Sequence, residues 1–202
     1  MVLDHVHISH VSKTGNLIPS CGFQAGTTCR PDAPCYKECY ARKGRFAFNH
    51  NKNLLAKNLA IWKEDHDFFR REIIIAAFPE KFFRWFPSGD IPDEAFYDMM
   101  CQVAREVPGT RFLAFTKKYE LVNDYLNHHE EPENLKTVLS AWGDFTPDNP
   151  HNLPMAYVEL KDQPCEIPEY ARACPLYCGD CVYSHHSCWD LEHGEAVKFK
   201  QH

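Results

Sequence analysis

The chain has no apolar run approaching the ~18 residues needed to cross a membrane; its longest such run is Ile73 to Phe78. Its first ten residues carry Asp4 and the histidines His5, His7 and His10, where a secretory leader would need a cationic start and an apolar stretch. No repeat of fixed period and no low-complexity segment is present. An excess of positive charge is lacking too. The 22 Lys and Arg against 28 Asp and Glu leave a formal net charge of −6. Phosphate neutralisation needs clustered cations, so a general nucleic-acid binder is disfavoured. Arg42, Lys43 and Arg45 form the one dense basic spot, either a solvated helix start or a patch that steers an anionic substrate. No recognisable acid–base motif is found. Asp90, Glu120, Asp144 and His151 are polar residues near expected strand ends and nothing more. Together these absences point to a soluble, cytoplasmic protein without a membrane partner.

The chain does have ten cysteines. In a reducing compartment, clustered cysteines hold metal more often than they form disulfides. Cys21, Cys29, Cys35 and Cys39 lie near one end, and Cys165, Cys174, Cys178, Cys181 and Cys188 near the other. Only Cys101 stands alone, and a buried free thiol is expected there. The histidines of the first ten residues are expected to decorate a strand or a frayed end.

The long middle reads as alternating helix and strand. The first 45 residues look irregular, with a short strand around Asn16 to Phe23. Apolar spacing predicts one long helix from Asn49 to about Ala77. Phe82 to Phe86 reads as a buried strand closed by Pro87, Ser88 and Gly89. A helix starting between Asp90 and Glu94 carries Phe96, Met99, Met100 and Val103. Arg111 to Thr116 reads as a strand, Lys118 to Leu126 as a short helix, Leu135 to Trp142 as a strand with its heart at Val138 to Trp142, and Met155 to Leu160 as a strand. A strand-to-strand interval of about 30 residues suits βαβ units and a parallel sheet. Too few units are present for a closed eight-stranded barrel, which takes ~200 residues or more. The expected fold is therefore α/β, a partial (βα) barrel-like parallel sheet. Residues 1–160 form that domain and 161–202 a cysteine-rich, metal-binding extension.

In the first cysteine group, Cys29, Cys35 and Cys39 lie within eleven residues, with Pro31 and Pro34 bending the chain between the first two. Soft thiolates select zinc, copper(I) or iron–sulfur clusters. Three thiolates leave one position of a 4Fe-4S cluster open, whereas a structural zinc completed by Cys21 or a histidine is an even rival on local spacing. In the second group, Cys174, Cys178, Cys181 and Cys188 are the preferred ligands, Cys165 the alternate, and His185 and His186 further candidates. Gly179 permits a tight turn between Cys178 and Cys181. That set suits 4Fe-4S or tetrahedral zinc, and metal would stabilise a tail with little apolar content of its own.

Thr28-Cys29, Cys35 and Cys39-Tyr40-Ala41-Arg42-Lys43-Gly44-Arg45-Phe46 resemble the "gene product 88" family of phage and bacterial proteins. The likeness continues through Ser88-Gly89-Asp90, Phe115-Thr116-Lys117 and the cysteine-rich tail. The layout is also similar to the radical S-adenosylmethionine (SAM) superfamily, where a three-cysteine loop follows the first strand of a partial barrel. Here five and three residues separate the cysteines, against three and two in that superfamily. The resemblance implies an enzyme that cleaves SAM reductively on a 4Fe-4S cluster held by Cys29, Cys35 and Cys39, acting on a substrate the sequence does not disclose. It implies SAM contacts from Ser88, Gly89 and Asp90, with Thr116, Lys117 and Ser140 as candidates for its ribose or carboxylate. It also implies a second cluster on the tail, an electron donor such as flavodoxin or ferredoxin, and a bacterial or phage-infected cell. The alternative is a non-enzymatic zinc or cluster protein that binds a partner or nucleic acid.

Overall fold

The computed structural model describes residues 5–10, 18–161, 166–184 and 186–201. Its frame is an eight-stranded, mostly parallel sheet in the order β1-β2-β3-β4-β5-β6-β8-β7. The strands are β1 (Ser9–His10), β2 (Pro19–Cys21), β3 (Phe82–Trp85), β4 (Arg111–Thr116), β5 (Leu135–Ser140), β6 (Met155–Glu159), β7 (Arg172–Ala173) and β8 (Ala196–Lys200). β1 runs antiparallel to β2, and every other pairing is parallel. The sheet is open: β1 and β7 are its two edges.

The helices are α1 (Cys35–Glu38), α2 (Asn49–Glu64), α3 (His66–Ala77), α4 (Glu94–Glu106), α5 (Tyr119–Leu126) and α6 (Cys178–Cys181). The single helix expected over 49–77 is two. Asp65 adopts an extended conformation at φ −152° and accepts the Phe68 N–H at 2.8 Å, capping α3. An N-cap aspartate restarts a helix because its carboxylate satisfies a donor that the first turn leaves free. Asp93 does the same for α4 through the Phe96 N–H.

Strand alternation sorts the sheet's two faces. Phe83, Trp85, Phe112 and Ala114 turn toward α2–α5 and join one core with Trp62, Phe69, Ile73, Phe96 and Met100. Leu113, Val138, Ala156 and Val197 turn the other way and meet Val182, Trp189 and Leu191 of the C-terminal segment. That segment thus has an apolar payload the sequence reading missed. Trp189 is buried, and its indole N–H donates to the Phe83 carbonyl at 3.2 Å. Arg111 holds Asp190 at 2.7 Å and also reaches the Trp189 carbonyl. The segment adds β7 and β8 to the same sheet as β2–β6. β5 ends at Ser140, short of the expected Trp142: the Ala141 N–H still donates to the Ala156 carbonyl at 2.8 Å, but Trp142 turns to bridge Phe145.

Candidate metal-binding site at the strand ends

Strands β2, β3, β4 and β5 are parallel, so their C-terminal ends share one edge. In open α/β sheets that edge is where ligands bind. The connection after β2 carries Cys29, Cys35 and Cys39. The turn after β3 carries Ser88, Gly89 and Asp90. Thr116 ends β4, Lys117 follows it, and Ser140 ends β5. The fold therefore brings the first cysteine group and the residues expected around it to one place.

The cysteine loop is pinned from several sides. Cys29 Sγ accepts the Gly26 N–H at 3.4 Å. Cys35 opens α1, and Cys39 follows it at φ −55°, ψ 122°, outside the helix. Tyr36 donates to the Gly26 carbonyl at 3.3 Å, and the Arg42 guanidinium lies 4.1 Å over the Tyr36 ring. Arg30, which the sequence did not single out, ties the loop to the β4 end. It pairs with Glu120 at 2.6 Å and Asp32 at 2.8 Å, reaches the Lys117 carbonyl at 3.4 Å, and lies over Tyr119 and Phe145. Apart from the Asp32 pair, these are contacts between distant segments, so no local signal announces them. Tyr40 donates to the Pro87 carbonyl at 2.6 Å, joining the residue after Cys39 to the β3 turn.

That turn is the most constrained backbone in the site. Phe86 has φ +53°, a left-handed conformation costly for a bulky residue, and Gly89 has φ +80°. A Cβ on Gly89 would stand 2.9 Å from Phe23 Cβ and 3.1 Å from Thr28 Oγ1. Glycine is required there both for the dihedral and for the close approach. The Ser88 hydroxyl is buried with no hydrogen-bond partner among the described residues.

Asp90 is buried and heavily used. It accepts from the Thr116 hydroxyl at 2.6 Å, the Lys117 N–H at 3.0 Å and the Ile91 N–H at 2.8 Å, while its own N–H donates to Thr28 Oγ1 at 2.9 Å. Its carboxylate thus ties β3 to β4 behind the cysteine loop. Burial pushes the Asp90 pKa up, against the pull of those donors. Lys117 Nζ donates to Ser140 Oγ at 2.7 Å. Burial also raises the Cys29 and Cys35 thiols. Asp90 and the neighbouring thiols add to this, whereas the Lys117 ammonium opposes it at Cys35. Cys21 stands apart: it is buried in the helix-side core, with Asn58 Nδ2 at 3.6 Å from its sulfur.

The second group sits on the sheet's other face. Cys174, Cys178, Cys181 and Cys188 line one cavity with Arg84, Leu113, Phe115, Tyr177, Trp189 and Phe199. Cys178 and Cys181, at the two ends of α6, are three residues apart on one helical turn, which places them on the same side. Cys174 Sγ accepts the Leu176 N–H at 3.4 Å. Burial pushes the Cys188 thiol up to about 12, and its three cysteine neighbours add to the shift. Cys165 and His185 lie outside the described residues. Among the described residues, no three Cys, His, Asp or Glu side chains already converge on a point as a bound ion would hold them. The donor set suits a soft metal, whose binding would deprotonate the thiols and draw them inward.

No helix among the described residues is long and apolar enough to cross a membrane. Cys101 is buried in the helix-side core, as expected. Glu120 is spoken for by Arg30, and His151 contacts the Asn123 carbonyl at 3.2 Å.

A family model described as Gene product 88 matches residues 7–195, so the chain belongs to that family. No curated protein and no solved structure matches it.

Proposed function

We propose that this member of the Gene product 88 family is an iron–sulfur protein that binds a 4Fe-4S cluster on Cys29, Cys35 and Cys39 and uses it, with SAM, as a radical SAM-like enzyme. The observation that carries the reading is the placement of the three-cysteine loop across the C-terminal ends of β2–β5, against the left-handed turn at Gly89. Three thiolates leave one iron of a cubane without a protein ligand. A bound cluster would supply one-electron reductive cleavage of SAM at that iron.

The protein's own residues would shape the site. Asp90, Thr116 and Thr28 hold the β3 turn and the loop in fixed relation. The backbone around Ser88 and Gly89, with the unpartnered Ser88 hydroxyl, offers polar groups to the amino end of SAM. Lys117 and Ser140 stand at the next strand ends, where the SAM carboxylate or ribose would fall. Asp90 itself has both oxygens engaged, so its part is to position the turn. The substrate belongs to the same open edge.

The test is anaerobic reconstitution with iron and sulfide, reduction with dithionite, and addition of SAM. The reading expects a change in the reduced cluster's electron paramagnetic resonance signal and formation of methionine and 5′-deoxyadenosine. Reduced, cluster-loaded protein that leaves SAM intact and its spectrum unchanged would overturn the enzymatic claim.

A further inference from the structure

Among the described residues, Arg84 is a cation without a carboxylate partner. It lies on the β3 face that meets the C-terminal segment, half-buried in the wall of the four-cysteine cavity. Its Nε is buried and unpartnered, and its guanidinium lies 5.6 Å over the Phe115 ring. Its Nη1 is 4.0 Å from Cys178 Sγ, the outer edge of hydrogen-bond reach to sulfur. No carboxylate among the described residues forms an ion pair with it. Leu113, Phe115, Trp189 and Phe199 make much of the remaining wall apolar.

A guanidinium does not shed its proton in a protein, and holding it against apolar walls is costly unless an anion answers it. Apart from the Tyr177 phenol, the groups among the described residues of this wall that can become anionic are the four thiols. They become so by giving their protons up to a metal. We infer that Cys174, Cys178, Cys181 and Cys188 form a tetrathiolate metal centre of net negative charge, with Arg84 as its counter-ion and N–H···S donor. A zinc ion and a 4Fe-4S cluster would each leave the four-thiolate centre a dianion, so Arg84 serves both. The inference concerns the tail alone and holds whether or not the loop cysteines bind a cluster.

The test uses the full chain purified without oxygen and then reconstituted, in parallel, with zinc ion alone or with iron and sulfide. A Cys29/Cys35/Cys39 triple alanine variant isolates the tail. It should retain one zinc, or about four irons with matching sulfide, and a further Cys178→Ser, Cys188→Ser pair should abolish that retention. The metal retained identifies the centre. On the same background Arg84→Met should weaken retention against a competing chelator by roughly tenfold or more, as loss of an outer-shell partner does. Arg84→Lys should restore part of it by returning the charge. If iron is retained, Arg84→Met should also lower the reduction potential. A triple variant that keeps its far-UV circular dichroism but holds neither metal overturns the site. Unchanged chelator resistance in Arg84→Met overturns the counter-ion role. So does a loss in Arg84→Lys equal to that in Arg84→Met.

Discussion

Replacing Trp189 tests whether the cysteine-rich segment is packed onto the sheet. Its side chain is 1% exposed, touches Phe82 edge-on at 5.6 Å between centroids, and donates to the Phe83 carbonyl. A buried tryptophan removes about 150–250 Å² from water. At about 25 cal/mol per Å² that amounts to roughly 4–6 kcal/mol, an upper estimate because unfolded chains already hide some surface. Large-aromatic truncations in cores cost about 3–5 kcal/mol, so Trp189→Ala is expected in that range. Trp189→Phe keeps most of the contact and loses the indole N–H, leaving the Phe83 carbonyl to find another donor; about 1–2 kcal/mol is expected. Urea unfolding followed by far-UV circular dichroism, at equal metal loading, reads both. Tyr183→Ala is the control, since that ring is 71% exposed and should shift stability by less than about 0.5 kcal/mol. A Trp189→Ala loss as small as the control's would show that the segment does not close the sheet's second face.

Gly89→Ala should destabilise by about 2–3 kcal/mol, combining the left-handed penalty with the 2.9 Å approach to Phe23. Gly44→Ala, at φ +55° with open space around it, should show only the conformational part, about 1 kcal/mol. Equal losses in the two variants would refute the close-approach account. Glu131 has its pKa raised to about 7, chiefly by burial, and accepts the Tyr97 hydroxyl and the Thr137 N–H on one oxygen. Between its unfolded value near 4.5 and about 7 the folded state binds the extra proton, so this group's contribution to stability is lost as pH rises through that window. Glu131→Gln keeps an oxygen for both donors, and its stability relative to the native chain should grow by on the order of 2 kcal/mol from pH 5 to pH 8. A difference that does not change with pH would contradict the shift.

How far the sequence could be read depended on the range of the contacts. Phe82 to Trp85, Arg111 to Thr116 and Met155 to Glu159 were legible because apolar runs between turn residues are local patterns. The break at Asp65 was missed because apolar spacing runs through it, although an aspartate three residues before Phe68 was a readable cap. β8 was missed behind the cysteines, yet Val197 and Phe199 alternate with Lys198 and Lys200 as a half-buried strand does. At the site, Asp90, Thr116 and Lys117 could be named from strand ends, and the structure brings them together with the loop. Asp90's use as a tie between strands was not legible, because it depends on Thr116, 26 residues away. Arg30 and Arg84 escaped for the same reason. Their partners, Glu120 and Cys178, are 90 and 94 residues distant.

The central claim is that Cys29, Cys35 and Cys39 hold an iron–sulfur cluster. Its most direct test is an anaerobic count of iron, sulfide and zinc on the native chain and on the triple alanine variant. The account predicts a loss of about four irons and four sulfides in the variant, with the tail's metal unchanged. Equal iron in both proteins, or the loss of a single zinc without iron, would contradict it.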